Sequence, residues 1–326
     1  MLGEVKAMTA EEVGERVELA KAAQKSWSKT TFKQRRLVLR TIQKYIVNNI
    51  DSITRVCSRD SGKPKVDALL GEVMTTCEKI RCINSEGEKW LEKSYRVTGP
   101  MMVHKTAYVE YVPLGVLGVI APWNYPFHNM LNHVISGLFS GNAVVSKVSE
   151  HTSWSSSYFT RIVRAALEAN GHDADVVQTI TGFGDSGAAL VAHPDVDKII
   201  FTGSPAVGKL NCCGVERLFV YDGIYDEFLD KAEKKVKALR QGVPLKCCGE
   251  SGEVDCGAMV MDQQIDIIQE LIDDAVEKGA RLHCGGKRNT AVGGGYGQFY
   301  EPTLISGITN DMRISQEEVF GPVMCV

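Results

Sequence analysis

Between Gly115 and Thr202 the hydrophobic pattern changes period in a regular way. The apolar run Gly115-Val116-Leu117-Gly118-Val119-Ile120 has the composition of a strand buried on both faces. Helical spacing follows over about 127–140, strand composition over 143–147, helix over 153–169, strand over 176–181, helix over 184–192 and strand over 198–202. Strands separated by helices cannot be joined as tight hairpins. They run parallel, with crossover helices, which predicts an α/β fold built on an open, doubly wound sheet.

The flanking regions differ. Thr9 with Glu12 three residues on forms a capping box for a helix to about Trp27. Val38, Leu39, Ile42, Tyr45 and Ile46 recur at helical spacing, and a further helical stretch after Asn49 is interrupted by Gly62-Lys63-Pro64. A long helix is expected over roughly Val66–Leu91, and strands over Val103–Val112. From Arg217 a second α/β region begins, with a strand over Leu218–Tyr221, helices over Tyr225–Leu239 and Gln263–Lys278, and strand-like Phe299-Tyr300 and Thr303-Leu304-Ile305. The 326 residues suit about two domains.

Composition excludes several classes. Lys+Arg is 37 and Asp+Glu is 40, a net charge of −3, which gives no reason to expect nucleic acid or an anionic membrane as partner. The longest apolar stretch, Pro113–Trp123, is well short of the ~20 residues of a membrane span. Met1–Ala10 holds no signal-peptide core. Ten cysteines are too few for a disulfide scaffold, and the pairs Cys212-Cys213 and Cys247-Cys248 lack zinc-knuckle spacing. Free thiols in a reducing, cytoplasmic setting are expected, with no metal.

The motifs cluster at strand ends. Gly182-Phe183-Gly184-Asp185-Ser186-Gly187 matches G-x-G-x-x-G, but the next strand carries no acidic residue at its tip, so a glycine-eased turn is the favoured reading. Gly203-Ser204-Pro205-Ala206-Val207-Gly208-Lys209 resembles a P-loop, yet Leu210 replaces the hydroxyl that holds Mg²⁺. A glycine turn opening a helix still suits a dinucleotide pyrophosphate. Pro122-Trp123-Asn124-Tyr125-Pro126 follows the buried strand, where open parallel sheets bind ligands, and a stiffly held carboxamide there can stabilise an oxyanion. Lys147-Val148-Ser149-Glu150 ends the next strand and can grip ribose hydroxyls or form a solvated turn. Asn211-Cys212-Cys213-Gly214 offers a thiol whose accessibility sequence does not show. His128 and His133, five apart on one helix, read as structural.

Together these segments resemble the aldehyde dehydrogenase superfamily: Pro113–Pro126, Lys147–Glu150, Phe201-Thr202-Gly203-Ser204 with Gly208, Asn211-Cys212, and Glu317-Glu318-Val319-Phe320-Gly321-Pro322, in the family's order. The plant-type subfamily of long aldehyde dehydrogenases is the nearest in appearance. The resemblance implies that Cys212 is the nucleophile. Its thiolate would attack an aldehyde to give a thiohemiacetal, with Asn124 and the Cys212 backbone N–H as the oxyanion hole. Hydride transfer to the nicotinamide and hydrolysis of the thioester would give a carboxylic acid. It implies cofactor contacts from Pro122, Trp123, Lys147, Glu150, Gly203, Ser204, Glu318 and Phe320. NAD is favoured over NADP because Glu150 would repel a 2′-phosphate. The implied domains are 1–210, dinucleotide-binding with a strand hairpin near 101–112 like the family's oligomerisation arm, and 211–326, a partial catalytic domain.

Departures from the pattern set a second expectation. Ser204 and Cys212 are almost adjacent, whereas the family separates them by several tens of residues, and no Glu-Leu-Gly-Gly segment carrying the deacylating base occurs. Glu216 is a weak substitute, and a coenzyme-A-acylating enzyme, which needs no such base, ranks below the hydrolytic reading. The chain thus reads as internally deleted and C-terminally truncated. Its missing strands count against the family's homo-oligomer. The alternative to a small-molecule aldehyde oxidoreductase is an impaired isoform or pseudo-enzyme that keeps part of the cofactor surface.

Overall fold

In a computed structural model of the chain, residues 2–203, 217–245, 254–292 and 297–326 are described. Contacts divide the chain into two compact units, one of Met1–Val56 with Leu69–Leu210 and one of Cys57–Ala68 with Asn211–Val326. The short stretch Cys57–Ala68 belongs with the second unit: Gly62, at φ +74°, lies so close to the Ala258 carbonyl that a β-carbon there would sit 2.8 Å from it.

The first unit opens with α1 (Ala10–Trp27), α2 (Phe32–Asn48) and α3 (Ile50–Ser61), the last running into the second unit. The Thr9–Glu12 capping box is formed, and a second, Thr31 with Gln34, opens α2. The helix expected over Val66–Leu91 is not uniform: α4 (Lys65–Asp67) passes through a π-helical segment, Ala68–Met74, before α5 (Thr75–Trp90). The widened turn carries Glu72 into the core, where its side chain is fully buried.

Strands expected over Val103–Val112 shrink to β2 (Ala107–Val109), paired antiparallel with β1 (Ser94–Arg96), while Pro100–Met102 forms a 3₁₀ turn. The hairpin therefore starts earlier than 101–112. Its Tyr95, Val97 and Tyr111 flank are exposed, so β-forming residues there lack a surface on which to extend pairing.

Then follow β3 (Val116–Ile120), α6 (Pro126–Phe139), β4 (Ala143–Lys147), α7 (Ser153–Ala169), β5 (Val177–Ile180), α8 (Gly184–Ala192) and β6 (Lys198–Phe201). The four strands are parallel, in the order β5-β4-β3-β6. The winding runs β3 to β4 to β5, then returns past β3 to β6. Right-handed crossovers put α6 and α7 on one face and α8 on the other, beside α1. α2 and α5 back the α6–α7 layer. β3 and β4 are buried along nearly their whole length, as their apolar composition requires. Trp27 anchors α1: it is 1% exposed, donates from Nε1 to the Leu138 carbonyl at 3.0 Å and meets His172 edge-on.

In the second unit, α9 (Tyr225–Lys237), α10 (Asp262–Glu277), β7 (Arg281–Cys284), β8 (Thr303–Ser306), α11 (Arg313–Gln316) and β9 (Val323–Cys325) follow in order. β8 is central, antiparallel to β7 and parallel to β9. Leu304 packs with Leu229, Ala232 and Val236 of α9, while Ile305 packs with Ile268, Leu271 and Ile272 of α10, so successive side chains serve opposite faces. The strand expected over Leu218–Tyr221 reduces to a bridge of Arg217 with Cys325. Phe219 and Tyr221 are exposed, and among the described residues no strand pairs with them. Among the described residues no helix is long and apolar enough to cross a membrane.

Candidate functional site

The sheet order places its switch point between β3 and β6, the position where open α/β sheets bind ligands at their carboxyl ends. Register makes this edge definite. Ile180, Lys147, Ile120 and Phe201 stand side by side. The ladder continues one residue further through Ala121 N–H to Lys147 O, Val148 N–H to Ile180 O and Thr202 N–H to Ile120 O, at 3.0–3.1 Å. The loops that leave this row carry Pro122, Trp123 and Asn124 from β3, Glu150 from β4 and Gly203 from β6. Pro122, Trp123, Asn124, Lys147, Glu150 and Gly203 thus share one edge.

The Lys147 side chain is only 8% exposed, and its ammonium meets the Glu150 carboxylate at 2.9 Å. A charge held so far from water needs a partner. Burial alone pushes the Glu150 carboxyl up, but a backbone amide, the Lys147 ammonium and His151 outweigh it and hold it below the usual carboxylate range. Ala121, Pro122 and Pro126, with Val148, Thr152, Ser155 and Ser156, line a small recess beside this pair. The Phe201 ring folds over Gly203, where a β-carbon would lie 2.5 Å from it, so a larger residue would displace the ring from the edge. These features fit a dinucleotide: a buried cation paired with a carboxylate that reaches solvent and can meet ribose hydroxyls, a glycine at the end of β6, and a switch-point location.

Asn124 precedes α6, whose first turn is held in an unusual way. Tyr125 occupies the N-cap without a side-chain cap bond. The cap comes instead from Glu72 on the π-helical segment, whose Oε2 accepts from the N–H groups of Phe127 at 2.7 Å and His128 at 3.1 Å. Gly71 permits this approach, since a β-carbon there would collide with the Tyr125 ring. Within the loop, Asn129 Nδ2 donates to Asn124 Oδ1 at 2.9 Å. His133 Nε2 lies 3.2 Å from Thr202 Oγ1, which ties α6 to the end of β6. Burial, then the charges of Lys79 and His128, lower the His133 pKa, and burial with Lys79 lowers that of His128. Neutral rings suit their bonds to Thr202 and Thr76. The two histidines have structural partners, and among the described residues no group of His, Cys, Asp and Glu could hold a metal ion.

The G-x-G-x-x-G match serves the chain itself. Met8 N–H donates to Thr181 O, Thr181 Oγ1 to Lys6 O, and Ser186 Oγ to Met8 O, so the N-terminal segment lies along this turn. Gly182, at φ +143°, makes room for Ser186.

Glu318 and Phe320 lie in the second unit, between α11 and β9. Phe320 adopts φ +45°, a left-handed conformation costly for an aromatic residue, between buried Val319 and Gly321, which packs on Ile268. Gln264 Nε2 donates to the Val319 carbonyl at 3.0 Å and fixes this turn. Ser204, Gly208, Cys212, Cys213, Glu216 and the Cys247-Cys248 pair lie outside the described residues. Glu72 and Asn129 were not anticipated from sequence. Asn129, about one helical turn beyond Asn124, carries the only local signal of the two.

A family model, that of the aldehyde dehydrogenase family, matches residues 1–210 and 211–326. An aldehyde dehydrogenase-like protein of Schizosaccharomyces pombe is 34% identical over 373 aligned positions, covering 100% of this chain and 70% of that protein. A second such protein, from Saccharomyces cerevisiae, is 36% identical over 382 positions, covering 99% of this chain and 59% of its own length. Both alignments are longer than the chain, so the relatives hold positions that it lacks. The solved structure of an NADP-dependent enzyme of Escherichia coli superposes with a TM-score of 0.88 at 26% identity, covering 99% of this chain and 74% of that one.

Proposed function

Because the chain belongs to the aldehyde dehydrogenase family, we propose that it is an oxidoreductase that converts an aldehyde to a carboxylic acid with NAD, through a covalent intermediate on Cys212. In this reading the Cys212 thiolate attacks the aldehyde carbon, a C–S bond forms, and the carbonyl π electrons move to oxygen. The Asn124 carboxamide N–H and the Cys212 backbone N–H receive that oxyanion. NAD, when bound, supplies the acceptor for the hydride that leaves the same carbon. The resulting thioester releases the acid when water attacks, and the thiolate returns. Lys147 and Glu150 hold the adenosine ribose, Pro122, Trp123, Gly203 and Ser204 frame the pyrophosphate side, and Glu318 with Phe320 serve the nicotinamide end.

The observation that carries this reading is the row Lys147–Ile120–Phe201, which brings the loops of Asn124, Glu150 and Gly203 to one switch point. The test is aldehyde-dependent NADH formation by the folded chain; folded protein that forms none with a panel of aldehydes would overturn it.

Glu150 also decides between the cofactors. A carboxylate beside the ribose repels a 2′-phosphate, so NAD is preferred. Glu150→Gln should shift the ratio of NADP to NAD affinity upward by about 10-fold or more, because a charge repulsion of ~1.4 kcal/mol is lost. Thermal unfolding with each cofactor in turn measures this. An unchanged ratio would remove Glu150 from the ribose site.

A second reading is favoured by one feature: the family match is broken at Leu210/Asn211, and no Glu-Leu-Gly-Gly segment occurs in the chain. A protein that is stabilised by NAD yet forms no NADH would be a cofactor-binding remnant rather than an enzyme.

A further inference from the structure

The geometry points to Asn129 as a positioning residue that sets which end of the Asn124 carboxamide faces the reacting carbonyl. This rests on the reading of Asn124 as an oxyanion donor and adds to it the residue that orients that donor.

A carboxamide has an N–H₂ end and an oxygen end of nearly the same shape. A half-turn of the group changes little in packing, but it replaces a donor by an acceptor and reverses the local dipole. The prolines at 122 and 126 restrain the backbone around Asn124. They do not choose the carboxamide orientation. Asn129 bears on it directly: its Nδ2 donates to Asn124 Oδ1 at 2.9 Å, which directs the oxygen end of Asn124 toward α6. The N–H₂ end is thereby directed away from Asn129.

The donor stands on a firm base. Asn129 N–H closes the first turn of α6 onto Tyr125 O at 2.8 Å, and the fully buried Glu72 holds the two preceding amides. A donor fixed on a helix turn can hold its neighbour's orientation before substrate arrives, which is what electrostatic preorganisation requires. Donation into Oδ1 also polarises the N–H bonds of the same amide, so the orienting bond strengthens the donor it orients.

Two variants separate this role from simple packing. Asn129→Leu removes the donor and keeps the volume. Asn129→Asp introduces a carboxylate, which accepts only; to pair with it the Asn124 carboxamide must turn its N–H₂ end inward and present oxygen to the substrate. The first readout needs no activity: the ¹⁵N-correlated side-chain N–H₂ pair of Asn124, identified by its absence in Asn124→Ala. In Asn129→Leu this pair should shift or broaden while the backbone resonances of β3 and β4 stay in place. The second readout is kinetic. kcat should fall about 10–100-fold in Asn129→Leu, part of the ~10²–10³ that loss of an oxyanion donor costs, with KM for NAD unchanged.

For Asn129→Asp the pH profile is diagnostic. Once protonated, the introduced carboxyl donates again, so its activity relative to the native chain should rise as pH falls. An Asn124 pair unmoved in Asn129→Leu would overturn the proposal, as would a variant-to-native ratio independent of pH. If the native chain oxidises no aldehyde, the functional reading fails, and the resonance of Asn124 still decides whether Asn129 orients it.

Discussion

Cys212→Ser is expected to abolish aldehyde-dependent NADH formation, with a fall of at least ~10³-fold in kcat. A serine hydroxyl without a base to ionise it is a far poorer nucleophile than a thiolate, and losses of this size accompany removal of a covalent nucleophile. Cys213→Ser should leave the rate within about two-fold, since no step is assigned to Cys213 and ordinary substitutions away from the chemistry have small effects. The native chain should also show an unusual time course. With no Glu-Leu-Gly-Gly segment to supply a base for the deacylating water, acylation should outrun hydrolysis under the proposed mechanism. Rapid mixing should give a burst of about one NADH per chain and then a slow phase, the sign of a stalled acyl-enzyme. Hydroxylamine, which needs no base to attack a thioester, should accelerate the slow phase. Steady turnover without a burst would mean that another group activates water, and Glu216→Gln would then be the variant to examine.

Glu72→Ala is expected to lower the stability of the first unit by about 3 kcal/mol. It strips two amide N–H groups at the start of α6 of their side-chain acceptor inside the core, where each unsatisfied donor costs about 1–3 kcal/mol. Glu72→Gln keeps an acceptor in place and should recover about half of the loss. Urea unfolding monitored by tryptophan fluorescence reports on this unit selectively, because Trp27, Trp90, Trp123 and Trp154 all belong to it. An unchanged midpoint in Glu72→Ala would show that water or backbone carbonyls replace the carboxylate at no cost. The same substitution should lower kcat, since α6 carries Asn129 and begins directly after the Asn124 loop.

The doubly wound sheet was legible because strands buried on both faces must be largely apolar, as β3 and the first three residues of β4 are, and because glycine and charge mark where they end. Lys147 and Glu150 were legible for the same reason: they punctuate an apolar run. Glu72 was not. A glutamate within a helical stretch reads as a solvated face, and its partners lie 55 and 56 residues away on α6. Only tertiary packing reveals that it faces the core. Leu218–Tyr221 erred in the other direction: β-branched and aromatic residues favour strand, but pairing needs a neighbour, and among the described residues that neighbour is a single bridge from Arg217 to Cys325. The G-x-G-x-x-G match showed how a glycine turn that admits close backbone approach is indifferent to what approaches; at Gly182 it is the chain's own N-terminal segment.

The π-helical segment Ala68–Met74 has a consequence for how this chain can change over time. An α-helix advances about 100° per residue, and a π turn absorbs one extra residue without passing that rotation on to the downstream helix. Deleting one residue from Ala68–Met74 would let the helix relax to regular geometry, but it could not keep both ends in phase. Either Glu72 would swing away from α6, or Ile80 and Ile83 of α5 would leave the core they now fill. Single-residue deletions here should therefore be tolerated less well than substitutions at the same positions, and the irregular turn behaves as a phase lock between the helical layer and the loop of Asn124.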